Sequence, residues 1–248
     1  MKAMILAAGL ATRLRPLTDD RPKALVEVAG RTLLEITLTR LRSLGVREVI
    51  INVHHFADMI VEYLHRNNNF GMRIEVSREE TLLDTGGGLR RAAHFFLETA
   101  SDAQTPFFVH NVDVVSTIDL DRMLRFHTEN KALATLAVQD RESSRYLLFD
   151  RQMRLCGRRS GRDGEDNLVR SCTQAQPLAF CGIHVISPSL LSLLKEEGAF
   201  SITDAYLGLA AQGERIMAFR ADEYYWRDVG SVPRLRQAEA DLAQQPLW

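Results

Sequence analysis

Apolar residues fall into two alternating rhythms along this chain. Short β-branched and aliphatic runs, AMIL at 3–6, EVIINV at 48–53 and RIEVS at 73–77, are separated by longer stretches of helical period, TLLEITLTRLRSLG at 32–45 and ADMIVEYLHRNN at 57–68. The rhythm continues with GGLRRAAHFFL at 87–97 as a helix, PFFVH at 106–110 as a buried strand, DLDRMLRFHTEN at 119–130 as a helix and ALATLAVQ at 132–139 as a strand. Strands joined by crossover helices predict an α/β fold: a mostly parallel open sheet flanked by helices, with ligand sites beyond the C-terminal ends of the strands.

Regularity lapses from about 141 to 177, where SRYLLFD suggests a hairpin strand and GRRSGRDGEDN a polar, glycine-punctuated excursion. This stretch reads as an insertion or lid. Order returns with the strand LAFCGIHVI at 178–186 and with helices from Pro188, from Ile202 and over 232–243. The pattern predicts a single domain over 1–248, with a more regular half up to about 140 and a less regular half after it.

Composition narrows the reading. With 248 residues, 46% of them hydrophobic, the chain can bury a substantial core. Its 31 Lys and Arg nearly balance its 32 Asp and Glu, so nothing global points to nucleic acid or to an anionic membrane, and no apolar run is long enough to span one. The apolar start is too closely joined to patterned sequence to read as a secretory signal. Cys156, Cys172 and Cys181 show no paired spacing, so a zinc site or disulfide framework is not indicated and reduced thiols in the cytoplasm are expected. Association into a homo-oligomer is compatible with such a fold and leaves no local signature.

Against that neutral background the loop LAAGLATRLRPLT at 6–18 stands out. It follows the first strand, contains Gly9, and opens a segment in which Arg13, Arg15, Arg21 and Lys23 lie within eleven residues with only Asp19 and Asp20 among them. Backbone N–H groups in a turn after a strand form an anion nest, Gly9 is expected to supply the freedom in φ, and the cations suit a polyphosphate. Neither GxxxxGK[ST] nor GxGxxG is present, which excludes a P-loop and an ordinary dinucleotide fingerprint. Asn52, near a strand end, is a candidate nucleoside contact by location, and DTGGGL at 84–89 reads as a glycine turn that opens a helix and suits close approach of a flat base or ribose. Asp113 in VHNVD and Asp228 in YYWRDVGS each follow an apolar or aromatic run. His54 and His55 adjoin but point to opposite sides of an extended segment, so they do not suit one metal ion.

The order LAAG, T-R-L-R-P-L-T, R-P-K-A-L-V resembles the signature of the sugar-1-phosphate nucleotidyltransferases. That resemblance implies a GT-A-like nucleotidyltransferase fold whose second half binds sugar phosphate, with a nucleoside triphosphate and a sugar 1-phosphate as substrates. It implies that Leu6, Ala7, Ala8, Gly9, Thr12, Asn52, Asp84, Thr85, Gly86 and Gly87 meet the nucleotide, and that Arg13 and Lys23 act on the reacting phosphates. Asp113 and Asp228 are then the ligands of Mg²⁺, and Gly182, together with the neighbouring Asp204, belongs to the sugar side. The TGGG turn and the W-x-D-V-G segment look most like bacterial uridylyltransferases acting on N-acetylmuramate 1-phosphate, and next like mannose-1-phosphate guanylyltransferase domains. No separate acyltransferase activity is expected, because no repeat-rich β-helix is present.

Two departures qualify the resemblance. Val112 stands where the family commonly has glycine before the first metal aspartate, and its branched side chain is expected to narrow the site. The E-K-P element of many hexose-phosphate members is missing, and that region offers Arg158 and Arg159 instead. The first departure keeps a rival open, a catalytically idle nucleotide- or sugar-nucleotide-binding regulatory protein on the same fold.

Overall fold

The computed structural model describes residues 1–244; the last four residues of the domain expected over 1–248 lie outside the described residues. The strands are Lys2–Leu6 (β1), Glu27–Val28 (β2), Arg31–Thr32 (β3), Glu48–Val53 (β4), Arg73–Arg78 (β5), Phe107–Asn111 (β6), Val114–Ser116 (β7), Ala134–Gln139 (β8), Arg145–Phe149 (β9), Leu155–Ser160 (β10), Asp166–Leu168 (β11), Gln176–Ile186 (β12), Ile216–Arg220 (β13) and Trp226–Asp228 (β14). The helices are Leu33–Ser43 (α1), Ala57–Arg66 (α2), Asp84–Arg91 (α3), Ala93–Phe96 (α4), Leu120–Glu129 (α5), Ser189–Leu193 (α6), Ile202–Ala211 (α7) and Val232–Gln244 (α8).

Ten strands form a mixed sheet in the order β11-β10-β9-β12-β6-β1-β4-β5, with β8 on the other edge of β12 and β13 beside β8. The run β6-β1-β4-β5 is parallel, as its crossover helices require. Strands β1, β4 and β6 are largely apolar on both faces because both faces are covered, whereas the edge strand β5 carries charged, partly exposed residues. Ala3, Ile5, Val49 and Ile51 pack with α1, α2 and α8 on one side. Met4 and Ile50 join Phe95, Phe96 and Tyr206 of the helices on the other. Helix α1 begins where Thr32 accepts a hydrogen bond from the Glu35 N–H at 3.1 Å, its N-cap.

The stretch 141–177, expected to be irregular and lid-like, is instead built into the sheet as β9, β10 and β11, all antiparallel. Its polar residues mark edge strands with exposed flanks rather than the absence of strands. Asp150 turns the β9–β10 hairpin by accepting from the N–H groups of Gln152 and Arg154, both at 2.9 Å. Strands β13 and β14 escaped the sequence pattern. The first, IMAFR, is a short buried run between two helices, and the second was read only as an aromatic run before a turn.

Three histidines, His110, His127 and His184, are each 1% exposed within this scaffold. Burial pushes their imidazoles down to about 3, about 4 and about 3 respectively, so all are neutral when folded. Unfolded, each takes up a proton near its ordinary value of 6.5. The stability they confer is therefore complete above that pH and is lost as pH falls through the window toward 3 or 4. The loss is about 1.4 kcal/mol per pH unit for each histidine. Thermal unfolding scans between pH 7 and pH 5 should show a falling Tm and a shallower fall in His184→Gln; parallel curves for the two proteins would remove His184 from this account.

Candidate active site

The parallel strands end level with one another, and that edge is the floor of a cleft. Leu6 pairs in register with Asn52 of β4 on one side and with Asn111 of β6 on the other. Above this row lies a cavity of about 530 Å³, walled by Ala7, Ala8, Gly9, Lys23, Leu82, Asp84, Thr85, Val112, Asp113 and Ala199. Sites beyond the carboxyl ends of parallel strands are the rule for open α/β sheets.

Asn52 is 3% exposed and bonded at both ends of its amide. Its Oδ1 accepts from the Ala7 N–H at 2.8 Å, and its Nδ2 donates to Glu79 Oε1 at 2.7 Å. The other Glu79 oxygen accepts from the Leu83 N–H, at 3.1 Å, one residue ahead of α3. Expected as a nucleoside contact, Asn52 thus also ties together the two loops that wall the cleft.

The DTGGG segment opens a helix, as expected: it is the first turn of α3, and Asp84 enters it with φ of 56°. Glycine inside a helix costs about 1 kcal/mol relative to alanine, so close packing must require it. A Cβ on Gly86 would collide with the Phe200 ring and one on Gly87 with the Gly198 carbonyl. A Cβ on Gly88 would lie 2.8 Å from the Asn52 amide and 2.9 Å from Glu79. Asp84 and Thr85 line the cleft, whereas Gly86 and Gly87 face the 198–200 segment. The Thr85 hydroxyl accepts from the Ile202 N–H at 3.0 Å, joining α3 to α7.

In the loop after β1 the left-handed residue is Ala11, with φ of 52°, and Gly9 has no positive φ. A Cβ at Gly9 would meet nothing within 4 Å, so this glycine keeps the cleft wall low rather than making the turn. The four cations divide. Arg15 pairs with Asp19 at 3.3 Å and Arg21 with Asp20 at 3.0 Å, all four exposed. Lys23 turns inward, 11% exposed, onto the Asp113 carboxylate. Thr12 and Arg13 lie on an exposed 3₁₀ turn over Thr12–Leu14, and the Arg13 guanidinium reaches Gly230 beside Asp228.

Asp113 and Asp228, distant in sequence, meet through backbone pairing. Strand β14 runs antiparallel to β7 with Asp228 opposite Val114, and the Val229 N–H donates to the Asp113 carbonyl at 2.8 Å. Asp228 Oδ2 accepts from Arg234 of α8 at 2.7 Å, while Oδ1 is buried without a hydrogen-bond partner. A Cβ on Gly230 would lie 2.5 Å from that Oδ1 and 3.1 Å from Nη2 of Arg13, so a glycine is needed where the two side chains converge. An orphaned carboxylate oxygen on a strand paired to the Asp113 segment suits a hard divalent cation that takes its remaining ligands from phosphate and water. Among the described residues no group of three or more His, Cys, Asp and Glu side chains gathers to hold a metal.

Val112, expected to narrow the site, is 3% exposed and belongs to the core cluster, so most of its side chain is packed into the protein. Gly182 has φ of 73°, and a Cβ there would lie 2.7 Å from the Asn111 amide, which makes it a bend in β12 beside the cleft floor. Asp204 is not part of the cleft: it is exposed and paired with Arg158 at 2.8 Å. Sequence reasoning passed over Leu82, Ala199 and Asn111 among the lining residues. Asn111 stood inside the quoted VHNVD, but Leu82 and Ala199 are ordinary loop residues with no local signal.

Comparison with known proteins agrees with this geometry. The family model described as nucleotidyl transferase matches residues 2–151. The N-acetylmuramate α-1-phosphate uridylyltransferase of Caulobacter vibrioides is 35% identical over 251 residues, covering 98% of this chain and 97% of that one. The β catalytic subunit of mannose-1-phosphate guanylyltransferase from Danio rerio is 37% identical over 238 residues, covering 93% of this chain; the chain spans only 61% of that relative's length. A crystal structure of a putative glucose-1-phosphate thymidylyltransferase from Bacillus anthracis shares the fold with a TM-score of 0.81 at 19% identity, covering 100% of this chain and 97% of that one. The chain belongs to the nucleotidyl transferase family.

The Asn52 bridge predicts a defect that is conformational before it is chemical. Asn52→Ala leaves the Ala7 N–H without an acceptor and Glu79 Oε1 without its donor, two buried groups at about 1–3 kcal/mol each. Urea unfolding should report a loss of about 2–5 kcal/mol with an unchanged m-value; a loss below about 1 kcal/mol would mean that the bridge is dispensable.

Proposed function

We propose that the chain condenses a nucleoside triphosphate with a sugar 1-phosphate, giving a nucleotide sugar and pyrophosphate. The observation that carries this reading is the pairing of β14 with β7, which sets the convergence of Arg13 and Asp228 at Gly230 next to the segment of Asp113, itself a cleft residue paired with Lys23. The two relatives named above direct the first choice of substrates to uridine and guanosine triphosphates, with N-acetylmuramate and mannose 1-phosphates as acceptors. The three free thiols fit a reducing compartment, and we assign the chain to the cytoplasm on that ground.

The nucleophile is the phosphate oxygen of the sugar 1-phosphate, which is already an anion and needs no base. It attacks the α-phosphorus in line, that P–O bond forms as the bond to the pyrophosphate oxygen breaks, and the electron pair leaves on pyrophosphate. The protein therefore has to position two polyanions and offset their repulsion. Backbone groups of 6–9, with Asp84 and Thr85 opposite, hold the nucleotide. Arg13 approaches from the loop side with a fork suited to phosphate oxygens, and Lys23 supplies a point charge next to Asp113. The second half of the domain, after about 140, receives the sugar phosphate.

Asp113 and Asp228 would hold Mg²⁺, on the strength of the unpartnered Asp228 oxygen. The ion would supply charge neutralisation to the phosphates. Because the Val112 side chain lies in the core, it lends no support to the catalytically idle alternative.

Pyrophosphate release measured across the common nucleoside triphosphates and a panel of sugar 1-phosphates should reveal at least one pair that turns over only with a divalent cation. Arg13→Ala and Lys23→Ala should each lower kcat/KM for that pair by about 10²–10³, the typical loss for one preorganised donor. Asp113→Asn should abolish the response to added Mg²⁺. No release with any pair, despite measurable nucleotide binding, would favour the idle protein.

A further inference from the structure

The missing E-K-P element leaves open which cation receives the acceptor phosphate. Arg158 and Arg159, which occupy that region of the sequence, are both engaged by carboxylates, Asp204 at 2.8 Å and Asp166 at 2.6 Å. Arg141 is different. Among the described residues it makes no ion pair. Its Nη2 donates to the Phe180 carbonyl at 2.8 Å and its Nη1 to the Glu142 carbonyl at 3.3 Å, and its Nε is buried without a partner.

The guanidinium lies 3.7 Å from the centre of the Trp226 indole, whose Nε1 is itself fixed by donating to the Cys181 carbonyl at 2.8 Å. Trp226 precedes Asp228 by two residues on β14, and the charges of Asp228 and Arg234 both act on Arg141. An arginine held over an indole, with its hydrogen bonds to neutral carbonyls and the Cys181 thiol nearby, is a preorganised fork for an anion. Desolvating such a cation without a paired counter-charge is unfavourable. A bound phosphate supplies that charge. Beside it opens a second cavity of about 500 Å³, lined by Arg141 itself and by Asp140, Glu142, Tyr146, Arg159 and Asp163, with the hydrogen-bonding groups and the ring that a polyol uses.

We propose that Arg141 anchors the phosphate of the sugar 1-phosphate on the Asp228 side of the site. This assignment rests on the function proposed above and names the residue that receives its second substrate.

Steady-state kinetics with the triphosphate and sugar 1-phosphate pair that the wild type turns over best provide the test. Arg141→Met removes the donors, while Arg141→Gln keeps one toward the Phe180 carbonyl and so guards against a folding defect. Both should raise KM for the sugar 1-phosphate about 10- to 100-fold, as expected for a charge-assisted contact, and leave the Kd of the triphosphate alone within about twofold. Inorganic phosphate, competing with the sugar 1-phosphate, should lose affinity in the same proportion. A folded variant whose sugar 1-phosphate KM stays within about threefold of wild type, or one that loses affinity for both substrates equally, overturns the assignment. Absence of turnover in the wild type itself would count against the proposed function; turnover insensitive to Arg141 would count against this inference alone.

Discussion

The site depends on the pairing of β7 with β14. Two carboxylates brought together repel each other, and side-chain contacts alone hold such a pair poorly. Here the backbone does it. Asp228 is fixed opposite Val114, the Val229 N–H reaches the Asp113 carbonyl, and the Thr117 N–H reaches the Tyr225 carbonyl at 2.9 Å. Helix α8 secures the far end, where Tyr225 donates to Asp241 at 2.9 Å and Arg227 pairs with the same carboxylate at 2.8 Å. Lys23 and Arg234 lower the repulsion from outside the ladder, one on each acid. Residues more than a hundred positions apart are thereby held on one two-stranded ladder, and α8 helps to set their spacing.

A second constraint concerns how close the elements around the cleft must come. Three consecutive glycines in a helix are unfavourable by propensity, so their presence in α3 points to something that admits no side chain. Two of them face Phe200 and Gly198 and the third faces the buried Asn52–Glu79 pair. The helix can therefore lie against the polar bridge that also holds Ala7, and both walls of the cleft share one set of hydrogen bonds. Displacing either wall would strand buried polar groups, which is why this part of the site is rigid.

How much of this could be read from the sequence follows from the range of each interaction. The parallel core was legible because burial on both faces writes continuous apolar runs, and α1 because its helical apolar period is local. The converging acids were legible only through family resemblance: nothing near Asp113 announces Asp228, and β14 is three residues long. The DTGGG segment was legible as the opening of a helix, but not the packing that requires its glycines. Other features were misread for physical reasons. Glycine was taken as the φ-positive residue at position 9, where Ala11 takes that role. Polar, glycine-rich sequence at 157–167 suggested a lid, whereas edge strands have the same composition because one side of them meets water.

Charge in this protein is informative by its partners rather than its density. The opening loop drew notice because four cations cluster there, yet two of them form exposed pairs with Asp19 and Asp20 that are screened by water and contribute little. The same sorting applies in the second half, where Arg158 and Arg159 meet carboxylates and Arg141 does not. An arginine paired with an acid has its field largely cancelled at the distance of a ligand. One whose bonds run to carbonyls keeps its field, and the Trp226 ring keeps it aimed. By this criterion Arg13 and Arg141, which make no ion pair among the described residues, keep their fields. Lys23 does not meet it as it stands, paired with Asp113; both groups line the same cleft, and a divalent ion at the carboxylates would release the lysine toward phosphate.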